Sequence, residues 1–187
     1  MVLLFVIFPL LVNSFTIDFP FNNNFMVKIK NIDVKKINQQ TIDDLLYLFK
    51  TTPVLVFDNQ KITPEEQFDF CSKFDPQHTN EVLHPFYETA IPGKQQIALR
   101  GKGMADMFGL KDIPIRNSKV FKYTPVWHQD LVGTKNVLPP VVSSMYMLKT
   151  PSKGGYTSFA SMEGAYESML VEHRKMCNEI NCVYSLI

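Results

Sequence analysis

The chain lacks a run of lysine or arginine interleaved with aromatics, and its nineteen basic residues nearly balance eighteen acidic ones for a net charge of +1. That balance leaves no electrostatic footprint for a nucleic-acid partner. Cysteine is scarce: Cys71, Cys177 and Cys182 are odd in number and, apart from the last two, far apart. They build neither a disulfide framework nor a zinc spacing, and read as ordinary thiols. No Asn-x-Ser/Thr sequon occurs. No apolar run is long enough to span a bilayer, the longest at the start being Val2 to Val12. That run precedes every charged side chain and is followed by Ser14, so it resembles a signal peptide without a basic n-region, cleaved after Ser14. The alternative is an apolar arm packed on the domain, so the expected location is secretory under the first reading and cytoplasmic under the second.

Present instead is the material of one ordinary globular domain, with 45% hydrophobic, 20% charged and 12% aromatic residues. Residues 1–24 are assigned to the signal-like segment and a polar linker, and residues 25–187 to the domain. Met26 to Lys30 alternates like a half-exposed strand, and Thr41 with Asp44 predicts a capped helix whose Ile42, Leu45, Leu46 and Phe49 share one face. Val54–Phe57 reads as a buried strand. Thr63-Pro64-Glu65-Glu66 is a capping box opening a second helix that runs to about Phe74. From Asp75 to Gly93 the chain is irregular and includes His78 and His84; Ile97–Leu99 is a short strand, and Gly101 to Asn117 reads as loop. Strands are expected at Lys119–Lys122, Trp127–Leu131, Val141–Leu148 and Thr157–Ala160, with a turn at Gly154-Gly155. Ser161 is expected to cap a helix that turns Ala165, Tyr166, Met169 and Leu170 inward. Helices first and strands later indicate an α+β domain.

The chemistry gathers at Trp127-His128-Gln129-Asp130. On a strand, alternate side chains leave one face, which would aim His128 and Asp130 together as two of the three donors of a 2-His-1-carboxylate iron site. The plainer reading of His128 is a hydrogen-bonded strand histidine.

Taken in order, Val54-Leu55-Val56-Phe57-Asp58-Asn59-Gln60, Ile62-Thr63-Pro64-Glu65-Glu66-Gln67, Leu83-His84-Pro85-Phe86-Tyr87, Trp127-His128-Gln129-Asp130 and Gly154-Gly155-Tyr156-Thr157-Ser158-Phe159-Ala160 resemble the taurine dioxygenase (TauD/TfdA) family. The resemblance implies a double-stranded β-helix of jelly-roll, clavaminate synthase-like type with flanking helices, and Fe(II)- and 2-oxoglutarate-dependent hydroxylation of a small organic substrate. It implies that His128 and Asp130 ligate iron and that Thr157 hydrogen-bonds the 2-oxoglutarate carboxylate. It places His84 and Tyr87 on the substrate side. Tyr156 stands where many members carry an acidic residue, and Thr124 where taurine users carry another polar group, so taurine itself is not implied.

In the family the distal iron histidine and the arginine that pairs with 2-oxoglutarate lie well beyond the Gly-Gly segment. His173 and Arg174 sit in the charged run Glu172–Lys175 of an expected surface helix and are not read as their substitutes. The jelly roll is therefore expected to be incomplete at the C-terminus, with weak cofactor binding and open sheet edges that favour self-association. The alternative function is a catalytically inactive truncated paralogue or gene fragment acting at most as a binding module.

Overall fold

The computed structural model describes residues 15–19, 25–76, 89–115, 127–129 and 140–181. The chain divides into two compact units, residues 1–149 and 150–187.

The first unit is built on a three-stranded sheet in the order β1 (Thr16–Asp18), β2 (Met26–Lys30), β3 (Val54–Phe57). β1 runs antiparallel to β2, whereas β3 runs parallel to it, with Met26 opposite Val54 and Ile29 opposite Phe57. Parallel neighbours need a crossover, and α1 (Gln39–Phe49) supplies it. Its stripe lies where the spacing requires: Ile42 and Leu45 are fully buried beside Val27 and Ile29 of β2, while Leu46 and Phe49 are half-buried against them. Phe15 and Phe74 close this core, and Phe49, Phe57, Phe70 and Phe74 form a chain of edge-to-face contacts with centroids 5.2–5.9 Å apart. β3 is half-buried along its length rather than fully buried, because among the described residues β2 is its sole strand partner.

The cap of α1 differs from the sequence expectation. Asn38, not Thr41, is the N-cap, and its Oδ1 accepts from the Thr41 amide at 2.9 Å and the Thr41 hydroxyl at 3.0 Å. Both residue types cap well, so local preference alone does not choose between them. Beginning three residues earlier buries Thr41 and lets Gln40 donate to Asp44 one turn on.

α2 (Pro64–Ser72) carries the expected capping box: Thr63 Oγ1 accepts from the Glu66 amide at 3.3 Å and Glu66 Oε2 accepts from the Thr63 amide at 2.8 Å. Thr63→Ala is expected to cost about 1 kcal/mol, read from a urea unfolding curve. Gln60 joins the two ends of the βαβ unit, donating to the carbonyls of Ile32 and Asp58 and accepting from the Val34 amide. Lys30 and Asp18 pair across β1 and β2 at 2.6 Å, which raises the Lys30 ammonium and lowers the Asp18 carboxyl from their ordinary ranges. Both groups are solvent-exposed, so the pair, diagonal across the ladder, adds little stability.

Two small hairpins follow, neither of them foreseen as a pair. β4 (Ala90–Ile91) returns through Pro92-Gly93, the glycine at φ +76°, to β5 (Lys94–Ala98), and β6 (Met104–Ala105) pairs with β7 (Ile113–Pro114) inside the stretch expected to be loop. Ile91, Leu99, Ala105 and Leu110 bury between them as a second core. Lys94 Nζ lies 4.8 Å from the centre of the Phe68 ring, which ties β5 to α2.

The longest expected strand, Val141–Leu148, forms no ladder among the described residues and bends at Val141 and Leu148. Its alternation survives except at Ser144: Val142, Tyr146 and Leu148 are half-buried, while Val141, Ser144, Met145 and Met147 are exposed. Side chains hold it instead. Tyr146 Oη donates to the Gln60 carbonyl at 3.0 Å and its ring meets Phe108 edge-on at 5.5 Å, while Gln67 donates to Ser144 Oγ at 2.9 Å.

In the second unit Ser161 caps α3 (Met162–Glu167) as expected, its Oγ accepting from the Gly164 amide at 2.9 Å. The helix stops after six residues, where the Ser168 hydroxyl donates back to the carbonyls of Gly164 and Ala165, and α4 (Val171–Glu179) begins after Leu170. No residue of α3 or α4 is buried, so Ala165, Tyr166, Met169 and Leu170 do not turn inward as the spacing suggested. No helix among the described residues is long and apolar enough to cross a membrane.

Candidate metal centre

Trp127, His128 and Gln129 are exposed and lie in no strand. A strand exists only where a neighbour takes its backbone hydrogen bonds, and none of the described residues pairs with this segment. The strand expected at Trp127–Leu131 is therefore corrected for residues 127–129, the part that is described. Asp130, His84, Tyr87 and His78 lie outside the described residues, as does the signal-like segment.

Thr157 is exposed and, with Ser158, Phe159 and Ala160, belongs to no strand, which corrects the strand expected there. It follows two glycines with left-handed backbone. Gly154 and Gly155 adopt φ of +75° and +71°, and a Cβ on Gly155 would lie 2.7 Å from Pro151 Cγ. Both glycines are thus required by backbone geometry, the second also by close approach. They set the direction in which the chain enters Tyr156 and Thr157. Tyr156 is 90% exposed.

The residues expected as donors suit ferrous iron in kind, an imidazole and a carboxylate with a hydroxyl for an anionic cosubstrate. In number they do not complete a site within the described residues, where no three His, Cys, Asp or Glu side chains gather in one group. His173 and Arg174 lie on α4, with His173 exposed, as the charged run suggested. Cys71 belongs to the first unit's structure: burial pushes its thiol up, and a hydrogen bond with Ser144 acts in the opposite direction. The sequence reading missed the pairing of Gln60 with Tyr146, which anchors the segment leading toward the Gly-Gly turn. A tyrosine inside an apolar run is the signal that could have revealed it, since a half-buried phenol seeks an acceptor.

No solved structure matches the chain. Two curated relatives, both named alpha-ketoglutarate-dependent xanthine dioxygenase xanA, from Emericella nidulans and its strain FGSC A4, are each 23% identical over 198 residues. The alignment covers 81% of this chain and 53% of the relative, so the chain spans about half the length of the curated relatives it matches. Residues 18–186 match the family described as taurine catabolism dioxygenase TauD, TfdA, a match that takes in the His128-x-Asp130 pair and the Gly-Gly-x-Thr segment. The chain belongs to the TauD/TfdA dioxygenase family.

Proposed function

We propose that this chain carries part of the active site of an Fe(II)- and 2-oxoglutarate-dependent dioxygenase, with His128 and Asp130 as iron donors and Thr157 as a cosubstrate contact. The observation that carries the reading is the family match across residues 18–186, with the donor pair inside it. When bound, iron would supply activation of oxygen coupled to oxidative decarboxylation of 2-oxoglutarate. His128 would donate a neutral imidazole nitrogen, which requires it to be deprotonated, and Asp130 a charged oxygen. The exposed hydroxyl of Thr157 would donate a hydrogen bond to a carboxylate oxygen. His84 and Tyr87 would line the substrate side. Xanthine is the first primary substrate to offer, because both relatives are named for it.

Anaerobic calorimetric titration of the 187-residue chain with Fe(II) tests the donor assignment. With two protein donors the expected dissociation constant is about micromolar or weaker, and His128→Ala and Asp130→Ala should each abolish the signal. Nanomolar binding that survives both substitutions would place the iron elsewhere.

A further inference from the structure

A second set of side chains of metal-ligating type lies in the residues around α4. His173 and Cys177 are four apart on this helix, so their side chains leave adjacent turns only about 40° apart around the axis. Cys177 Sγ lies 3.9 Å from Met169 Sδ, which precedes the helix. A hydrogen bond of 3.1 Å from Tyr166 Oη to Asn178 Oδ1 closes the same corner. Met169, His173 and Cys177 are all exposed, so an ion can reach them without opening a core. Arg174 and Lys175 leave the helix about 100° and 200° round from His173, off the stripe that carries the donors.

The sulfur separation is informative. Two sulfurs that bind one metal at about 2.3 Å in tetrahedral or trigonal arrangement stand about 3.8–4.0 Å apart. Met169 and Cys177 already hold that spacing. A thiolate, a thioether and an imidazole form a soft set, and the uncharged thioether favours Cu(I) over Zn(II), which gains more from charged donors. We propose that Met169, His173 and Cys177 bind one Cu(I) ion. The Cys177 thiol gives its proton to solvent as the copper–sulfur bond forms, and no electron is transferred.

The test is anaerobic titration of the full chain with Cu(I) against a colorimetric Cu(I) chelator, in a Cys182→Ser background so that the next thiol in the sequence does not compete. Iodoacetamide labelling and peptide mapping follow. One ion per chain is expected, with Cys177 protected from alkylation when Cu(I) is present. Cys177→Ser should remove the site, and Met169→Leu and His173→Gln should each weaken it tenfold or more. His128→Ala should leave it unchanged, which separates this site from the proposed iron site. The proposal is overturned if Met169→Leu and His173→Gln bind as the parent does, or if Cu(I) leaves Cys177 alkylation unchanged. The substituted side chains are exposed, so loss of fold is not the expected cause of a change, and a circular dichroism spectrum checks this.

Discussion

His128→Ala is expected to lower 2-oxoglutarate turnover at least a hundredfold in a protein that joins this chain to the remaining length of its xanthine dioxygenase relatives, assayed with xanthine. The chain aligns with 53% of those relatives, so the fusion supplies the rest of their length while keeping every residue discussed above. Removing a metal donor weakens binding of the ion and also disturbs where the cosubstrate sits, and an ångström of displacement alone can cost about a hundredfold. Asp130→Ala should act alike. In the role proposed for it, Thr157 makes only one hydrogen bond to an anion, so Thr157→Ala should show chiefly in the KM for 2-oxoglutarate, about tenfold, with kcat less affected. Succinate formation above a metal-free control is the readout. Full turnover in His128→Ala would exclude this histidine as a donor. Turnover by the 187-residue chain alone, lost in Asp130→Ala, would mean that the chain is a sufficient oxygenase.

Leu45→Ala is expected to destabilise the first unit by about 2–5 kcal/mol, the range for emptying a leucine site in a packed core. Leu45 is fully buried between α1 and the sheet, among Val27, Ile29 and Ile42, and these neighbours come from two different elements. They cannot collapse into the space without moving the helix on the sheet. Tyr47 on the outer face of the same helix is 66% exposed, and Tyr47→Ala should cost well under about 1 kcal/mol. Urea unfolding followed by the helical circular dichroism signal compares the two. Equal losses would mean that α1 does not pack on the sheet by the face assigned to it.

What could be read in the sequence alone is the part of the structure whose hydrogen bonds close locally. The Thr63–Glu66 capping box, the Ser161 cap, the apolar stripe of α1 and the left-handed backbone at Gly154 and Gly155 each depend on residues within a few positions of one another. Family membership was legible for a related reason, since ordered short motifs survive in the chain without reference to its fold. Strands are different because their partners lie far along the chain. Val141–Leu148 has the composition and alternation of a strand, yet among the described residues it finds no ladder and is held by Tyr146 and Ser144. The glycine-rich stretch after Gly101, with no period to read, forms β6 and β7 because those short segments pair with each other over Ala105 and Leu110. Tertiary packing also chose Asn38 over Thr41 as the cap of α1 by burying the threonine. It likewise placed Met169 against Cys177, a sulfur contact across eight residues that helix spacing does not predict. The sequence determined the cap and start of α2, the stripe of α1 and the family; which segments become sheet, and which side chains meet across the fold, was decided by partners that only the folded chain brings within reach.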